Sequence, residues 1–163
     1  QESVAEHSWR MALMAYFLRD QFPSVDLTRL LLMALLHDMG EVFTGDIPTF
    51  EKTEADRAHE HRRRDEWINA LPAPYAAEVR ALFAEMDAME TEEAHIARAL
   101  DRMEAVITHN EGDPHTWLPL EYDLQRTYGI KEAAFSPTLK DLRAEINNEV
   151  KKVISSLKKE ERT

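Results

Sequence analysis

Apolar residues along this chain recur every three or four positions, which is the spacing of one face of an α-helix. The first such stripe joins His7, Met11, Met14 and Leu18, and it starts beside a capping box formed by Ser3 and Glu6. Further helices are expected over 26–38, 54–71, 79–86, 91–111, 120–128 and 137–157, and a loop is expected over 41–52. Strand-like alternation is scarce. The pattern therefore predicts an all-α protein.

Composition narrows the class of protein further. The 163 residues suit one domain, and 44% hydrophobic with 31% charged residues is an ordinary globular balance. A net charge of −11 disfavours binding to duplex nucleic acid, and no apolar run is long enough to span a membrane. Cysteine is absent, which excludes thiolate metal sites and favours a reducing compartment, the cytoplasm. Because a capped helix begins at Ser3, we expect residues upstream of Gln1 in the natural protein.

Four residues have the chemistry of metal ligands: His7, the adjacent pair His37 and Asp38, and Asp101. His7 and Asp101 each fall on an otherwise apolar helical face, and the pair ends an apolar helix. Taken one at a time, the histidine reads as a hydrogen-bonded core residue and Asp101 as an ion-pair partner of a neighbouring arginine. Together, two imidazoles and two carboxylates are costly to bury unless a cation pairs with them. This donor set favours one divalent transition metal, Mn, Co, Fe, Ni or Zn, over Mg or Ca.

Three motifs extend this pattern: Ser3-Val4-Ala5-Glu6-His7-Ser8, His37-Asp38-Met39-Gly40-Glu41 and Gly45-Asp46-Ile47-Pro48-Thr49. With them the chain resembles the HD-domain phosphohydrolase superfamily, and within it the bacterial 5′-deoxynucleotidase branch and its eukaryotic relatives. The resemblance covers about residues 3–110. It implies a compact single-domain helical bundle over 1–163, with the helices of 120–159 packed on the signature region. It also implies one divalent metal held by the four candidate ligands, with Co or Mn favoured, and a homodimer.

The resemblance also implies roles for residues that are not ligands. Glu41, one helical turn beyond His37, matches a carboxylate that positions or deprotonates the attacking water. Asp46 matches a second carboxylate that protonates the leaving oxygen or holds the water. Arg10 is a candidate contact for substrate phosphate or for a buried carboxylate, and Thr49 and Lys52 lie in the loop that lines the family's active site.

The reaction indicated is hydrolysis of deoxyribonucleoside 5′-monophosphates to nucleoside and phosphate. Hydrolysis of (p)ppGpp, cyclic nucleotides or deoxynucleoside triphosphates uses the same ligands, although the (p)ppGpp hydrolases have an acidic pair where this chain has Glu41-Val42. A di-iron oxygenase of the same superfamily needs more ligands than these four. A non-catalytic metal-binding module would not need the carboxylates of Glu41 and Asp46.

Overall fold

The computed structural model describes residues 2–45, 47–48 and 50–160, and within them every regular element is helical. The helices are α1 (Val4–Leu18), α2 (Leu27–Leu36), α3 (Glu41–Thr44), α4 (Glu54–Ala70), α5 (Tyr75–Ala88), α6 (Glu92–Glu111), α7 (Glu121–Thr127), α8 (Ile130–Ala133) and α9 (Pro137–Glu160). Single 3₁₀ turns lie at Arg19–Gln21 and Pro114–Thr116. The all-α prediction is confirmed. No described helix is both long and apolar enough to cross a membrane.

The predicted helix starts follow from side-chain caps. The Glu6 N–H donates to Ser3 Oγ at 3.2 Å, and the Ser3 N–H donates to the Glu6 carboxylate at 2.9 Å. Thr53 and Asp56 form the same reciprocal box at the start of α4. Each box satisfies N–H groups that the first turn of a helix leaves without a partner. The first residues of α1 and α4 could therefore be predicted from the sequence.

Two short helices were not predicted. The expected loop over 41–52 contains α3, and the segment before α9 contains α8. A one-turn helix is too short to show a repeating apolar pattern. At α3 the backbone of Gly40 is already helical and continues the turn that follows α2, while Gly45, at φ +84°, ends the helix. That positive φ is a conformation glycine adopts without steric cost.

The chain divides into two compact units, Gln1–Ala94 and His95–Thr163, and each is described separately. The prediction of a single domain over 1–163 stays a prediction. In the first unit α1 packs against α2, α3 against α4, and α5 against both α2 and α4. Met11, Met33 and Ala34 are fully buried there. Gly40 lies so close to α4 that a Cβ atom at this position would be 3.0 Å from the Glu60 carbonyl oxygen.

In the second unit α9 packs against α7, α8 and the 3₁₀ turn at Pro114–Thr116. The predicted apolar stripe buries Ile146, Val150, Ile154 and Leu157, while Val153, the fifth member of the stripe, is half-buried. Arg143 on the same helix is only 2% exposed and donates to the backbone carbonyls of the segment that closes α7. Burial lowers the pKa of this guanidinium from its ordinary value.

Candidate metal centre

The candidate ligands of the first unit lie on α1 and at the end of α2. His7 is in the first turn of α1, four residues before the fully buried Met11, so its imidazole shares the inward face of the helix. His37 caps the C-terminus of α2, and Asp38 begins the turn that follows. Because the helix ends here, two adjacent residues can direct their side chains to one point. The sequence prediction for this pair required such a helix end.

Three ligand atoms converge. His7 Nε2 lies 3.2 Å from His37 Nε2, and Asp38 Oδ2 lies 3.1 Å from His37 Nε2 and 3.8 Å from His7 Nε2. Ligands held roughly 2.0–2.2 Å from one ion are about 3.0–3.5 Å from each other in octahedral or tetrahedral geometry. Each imidazole is 13% exposed and the Asp38 side chain 25%. Two of the three separations fall in this range and the third, between His7 and Asp38, is 0.3 Å longer, so the cluster has close to the spacing, and the partial burial, of a set that holds one cation.

A hydrogen bond at the far side of the His37 ring fixes which nitrogen faces the cluster. His37 Nδ1 lies 3.0 Å from the Ala34 carbonyl oxygen. A carbonyl oxygen only accepts, so Nδ1 carries a proton, and in the neutral form of the ring the lone pair of Nε2 faces the cluster. Metal-binding histidines are oriented in this way by backbone carbonyls. The residues present thus fit a divalent cation in donor type as well as in spacing.

The fourth candidate ligand, Asp101, lies on α6 in the second unit. Its Oδ2 atom is 3.7 Å from a terminal nitrogen of Arg98 and 3.9 Å from Nε of Arg102, and its side chain is 21% exposed. Both arginines had been considered as alternative partners from the sequence. Participation of Asp101 in the metal site stays a prediction.

Glu41, the predicted catalytic carboxylate, begins α3, and its N–H donates to the Asp38 carbonyl oxygen at 2.9 Å. Its carboxylate accepts a hydrogen bond of 2.6 Å from Lys52 Nζ. The same ammonium lies 2.9 Å from a carboxylate oxygen of Glu60 on α4. Burial works to lower the pKa of Lys52, but hydrogen bonds and charge from the two glutamates outweigh burial and raise it. The ammonium is therefore charged at neutral pH.

The remaining predicted site residues are less fully defined. Arg10 is half-buried on α1, three residues beyond His7. Asp46 and Thr49 lie outside the described residues. His59 and His61 are exposed on α4, as expected for surface residues.

Two buried carboxylates escaped the sequence interpretation. Glu60 lies on the polar helix α4, eight residues before the buried Ile68, and shares its helical face. That spacing was the available indication. Glu104 on α6 is 0% exposed and accepts a 2.8 Å hydrogen bond from the Thr108 hydroxyl. It lies one turn beyond Asp101, on the same face of the helix.

An all-helical fold that brings His7 to the His37-Asp38 pair is typical of helical metal-binding proteins. Comparison with known proteins identifies the family. The family model described as HD domain matches residues 1–143, and the chain belongs to this family. Membership implies a divalent metal ion. The crystal structure titled a predicted metal-dependent phosphohydrolase, from Magnetospirillum magnetotacticum MS-1, superposes with a TM-score of 0.73 at 28% identity, covering 93% of this chain and 79% of that one.

Curated relatives carry a more specific name. The 5′-deoxynucleotidase HDDC2 of Mus musculus is 33% identical over 114 residues, which are 68% of this chain and 55% of that protein. The protein of the same name from Dictyostelium discoideum is 26% identical over 161 residues, or 92% of this chain and 84% of that protein. The chain thus spans about half the length of the mouse relative.

Proposed function

We propose that the chain is a metal-dependent phosphohydrolase that converts deoxyribonucleoside 5′-monophosphates to deoxyribonucleosides and inorganic phosphate. The observation that carries the proposal is the convergence of His7, His37 and Asp38, with the His37 lone pair directed into the cluster by Ala34. The names of the curated relatives support the choice of a 5′-deoxynucleotide as substrate.

In this proposal His7, His37, Asp38 and Asp101 hold one divalent ion. Two nitrogen and two carboxylate oxygen donors suit Mn, Co, Fe, Ni or Zn. Such an ion, when bound, supplies Lewis-acid stabilisation of phosphoryl oxygens and lowers the pKa of water. The fourth ligand rests on the sequence pattern alone.

The other residues handle the proton and the phosphate. Glu41 accepts a proton from the attacking water as the water oxygen bonds to phosphorus. The bond between phosphorus and the 5′ oxygen of the sugar breaks, and Asp46 protonates that oxygen. Arg10 and Thr49 are proposed contacts to the phosphate or sugar. These assignments rest on the family resemblance.

Phosphate release from a panel of 5′-deoxynucleotides and 5′-ribonucleotides tests the function. The protein is stripped of metal and reloaded with Co, Mn, Zn or Mg. His37→Ala is compared with His59→Ala, which removes an exposed imidazole from α4. We expect release from deoxynucleotides with Co or Mn, unchanged in His59→Ala and abolished in His37→Ala.

The products separate the alternatives. Release of pyrophosphate or triphosphate from another nucleotide would retain the metal site but replace the substrate. Two irons per chain, without phosphate release, would indicate the oxygenase class. Full activity in His37→Ala would contradict the mechanism.

We further propose a cytoplasmic homodimer. Large apolar side chains are exposed on the first two helices, among them Trp9 at 63% and Phe17 at 73% on α1 and Leu35 at 46% on α2. Apolar surface of this kind commonly marks a protein interface. The absence of cysteine supports the compartment. Light scattering on the wild-type protein and on Phe17→Ser tests the assembly, and a monomeric mass for both would contradict it.

A further inference from the structure

We propose that Lys52 and Glu60 are positioning residues that hold the carboxylate of Glu41 in its working orientation. The inference rests on the proposed function, in which Glu41 accepts the proton of the attacking water. It gives Glu60 a part in the reaction and gives Lys52 a different part from the phosphate contact predicted for it.

The three side chains form a chain of charges across two helices and the segment that joins them. Lys52 Nζ lies 2.6 Å from the Glu41 carboxylate and 2.9 Å from that of Glu60. The exposed fractions of the three side chains are 9% for Lys52, 16% for Glu41 and 11% for Glu60. The contact to Glu41 is a short charge-assisted hydrogen bond and the contact to Glu60 is an ion pair, and low exposure limits competition from water for both.

Glu41 requires a stabilising contact because it lies on the short helix α3. Helix α3 has four residues, and a single helical turn has little stability of its own. Helix α4 has 17 residues and buries Ile68, so Glu60 lies on a longer helix that is anchored in the core. The contact between Gly40 and the Glu60 backbone brings the start of α3 directly against α4. Lys52 then transmits the position of Glu60 to Glu41.

The charges also argue for positioning over phosphate binding. The ammonium lies between two carboxylates, which offset its charge before any phosphate approaches. The ammonium donates a hydrogen bond to Glu41 and forms an ion pair with Glu60. The raised pKa of Lys52 keeps these contacts intact at neutral pH, since the two glutamates outweigh burial.

A mutant cycle separates the two roles of Lys52. Lys52→Met and Glu60→Gln should each lower kcat by about 10- to 100-fold, the usual effect of removing a partner behind a reacting group, with little change in KM. In a Glu41→Gln background neither substitution should lower kcat further, because both act through Glu41. Lys52→Arg should recover part of the loss. Costs that multiply in the double variant, with a raised KM, would overturn the proposal in favour of direct phosphate binding.

Controls separate positioning from loss of metal or of stability. Metal affinity by calorimetry should be unchanged in Lys52→Met and Glu60→Gln and weakened about 100-fold in His37→Ala. Arg29→Met removes another ion pair of the first unit, to the largely buried Glu85, and should lower Tm without changing kcat. A fall in kcat in Arg29→Met as large as in Lys52→Met would overturn the proposal, since any lost ion pair would then suffice.

A crystallographic comparison does not depend on activity. In crystals of Lys52→Met the Glu41 carboxylate should move by more than about 0.5 Å from its wild-type position or become disordered, a displacement that active sites do not tolerate. An unmoved carboxylate overturns the proposal. If the wild-type protein released no phosphate from any ester, the proposed function would fall, while this comparison would still decide whether Lys52 positions Glu41.

Discussion

Binding of a divalent ion should stabilise this protein strongly, and loss of one imidazole should remove most of that effect. In the folded chain the ligand atoms of His7, His37 and Asp38 converge, with 3.1–3.8 Å between each pair of atoms. His7 is 30 residues away in sequence from His37, so the unfolded chain does not present this set. An ion that binds only the folded state shifts the unfolding equilibrium by mass action. His37→Ala deletes the ligand that contacts both others.

The magnitude follows from the affinity. At a free metal concentration of 100 times Kd the wild-type protein gains about 2.7 kcal/mol. For a protein of this size each kcal/mol raises Tm by roughly 2–4 °C, so the expected shift is about 5–11 °C. If His37→Ala weakens binding about 100-fold, the upper range seen for partners behind the ligands, the same concentration equals its Kd. The gain is then about 0.4 kcal/mol, or roughly 1–2 °C.

Differential scanning calorimetry of the metal-free protein, with and without added Mn or Co, measures both shifts. His59→Ala is the matched control, because it removes an exposed histidine and should keep the full wild-type shift. Asp38→Asn should behave like His37→Ala, since an amide is a poorer ligand of nearly the same shape. Equal shifts in wild type and His37→Ala would refute the assignment of the cluster as the metal site.

Three further predictions concern contacts around the site and in the second unit. Gly40→Ala places a methyl group 3.0 Å from the Glu60 carbonyl oxygen and should lower stability by about 1–3 kcal/mol and reduce kcat, as chemical denaturation and turnover measure. Arg143→Met removes the donor to the buried Gln125 carbonyl and to the part-buried Tyr128 carbonyl and should cost about 2–5 kcal/mol in urea unfolding; an unchanged midpoint would contradict this. The hydrogen bond from Arg29 lowers the pKa of Glu85 below its ordinary 4.5 against the opposing effect of burial. Its stabilisation is therefore present above pH 4.5 and lost as pH falls through the folded pKa, so the stability difference between wild type and Arg29→Met should shrink below pH 4.5.

Helix caps and apolar stripes could be predicted from the sequence because they depend on residues that are close together in the chain. The capping boxes at Ser3 and Thr53 and the apolar stripe of α9 depend on residues within a few positions of one another. The pairing of His37 with Asp38 at a helix end was equally local, because the apolar run stops there. The class of fold and the chemistry of the ligands followed from these patterns.

Contacts between residues far apart in the chain could not be predicted from the sequence. The sequence did not reveal that Glu60 lies beside Lys52, since the apolar face of α4 is narrow and its surroundings are highly polar. Short helices such as α3 leave no periodic trace, because one turn is shorter than the repeat that would identify it.

The division has one physical cause. Helix boundaries, donor types and the candidate ligands depend on residues close in the chain, so periodicity and chemistry identify them without coordinates. The meeting of His7 with His37, and of Glu41 with Lys52 and Glu60, depends on how α1 packs on α2 and α3 on α4. Packing of this kind is set by side-chain shape and by close approaches such as that of Gly40 to α4, which no local pattern encodes.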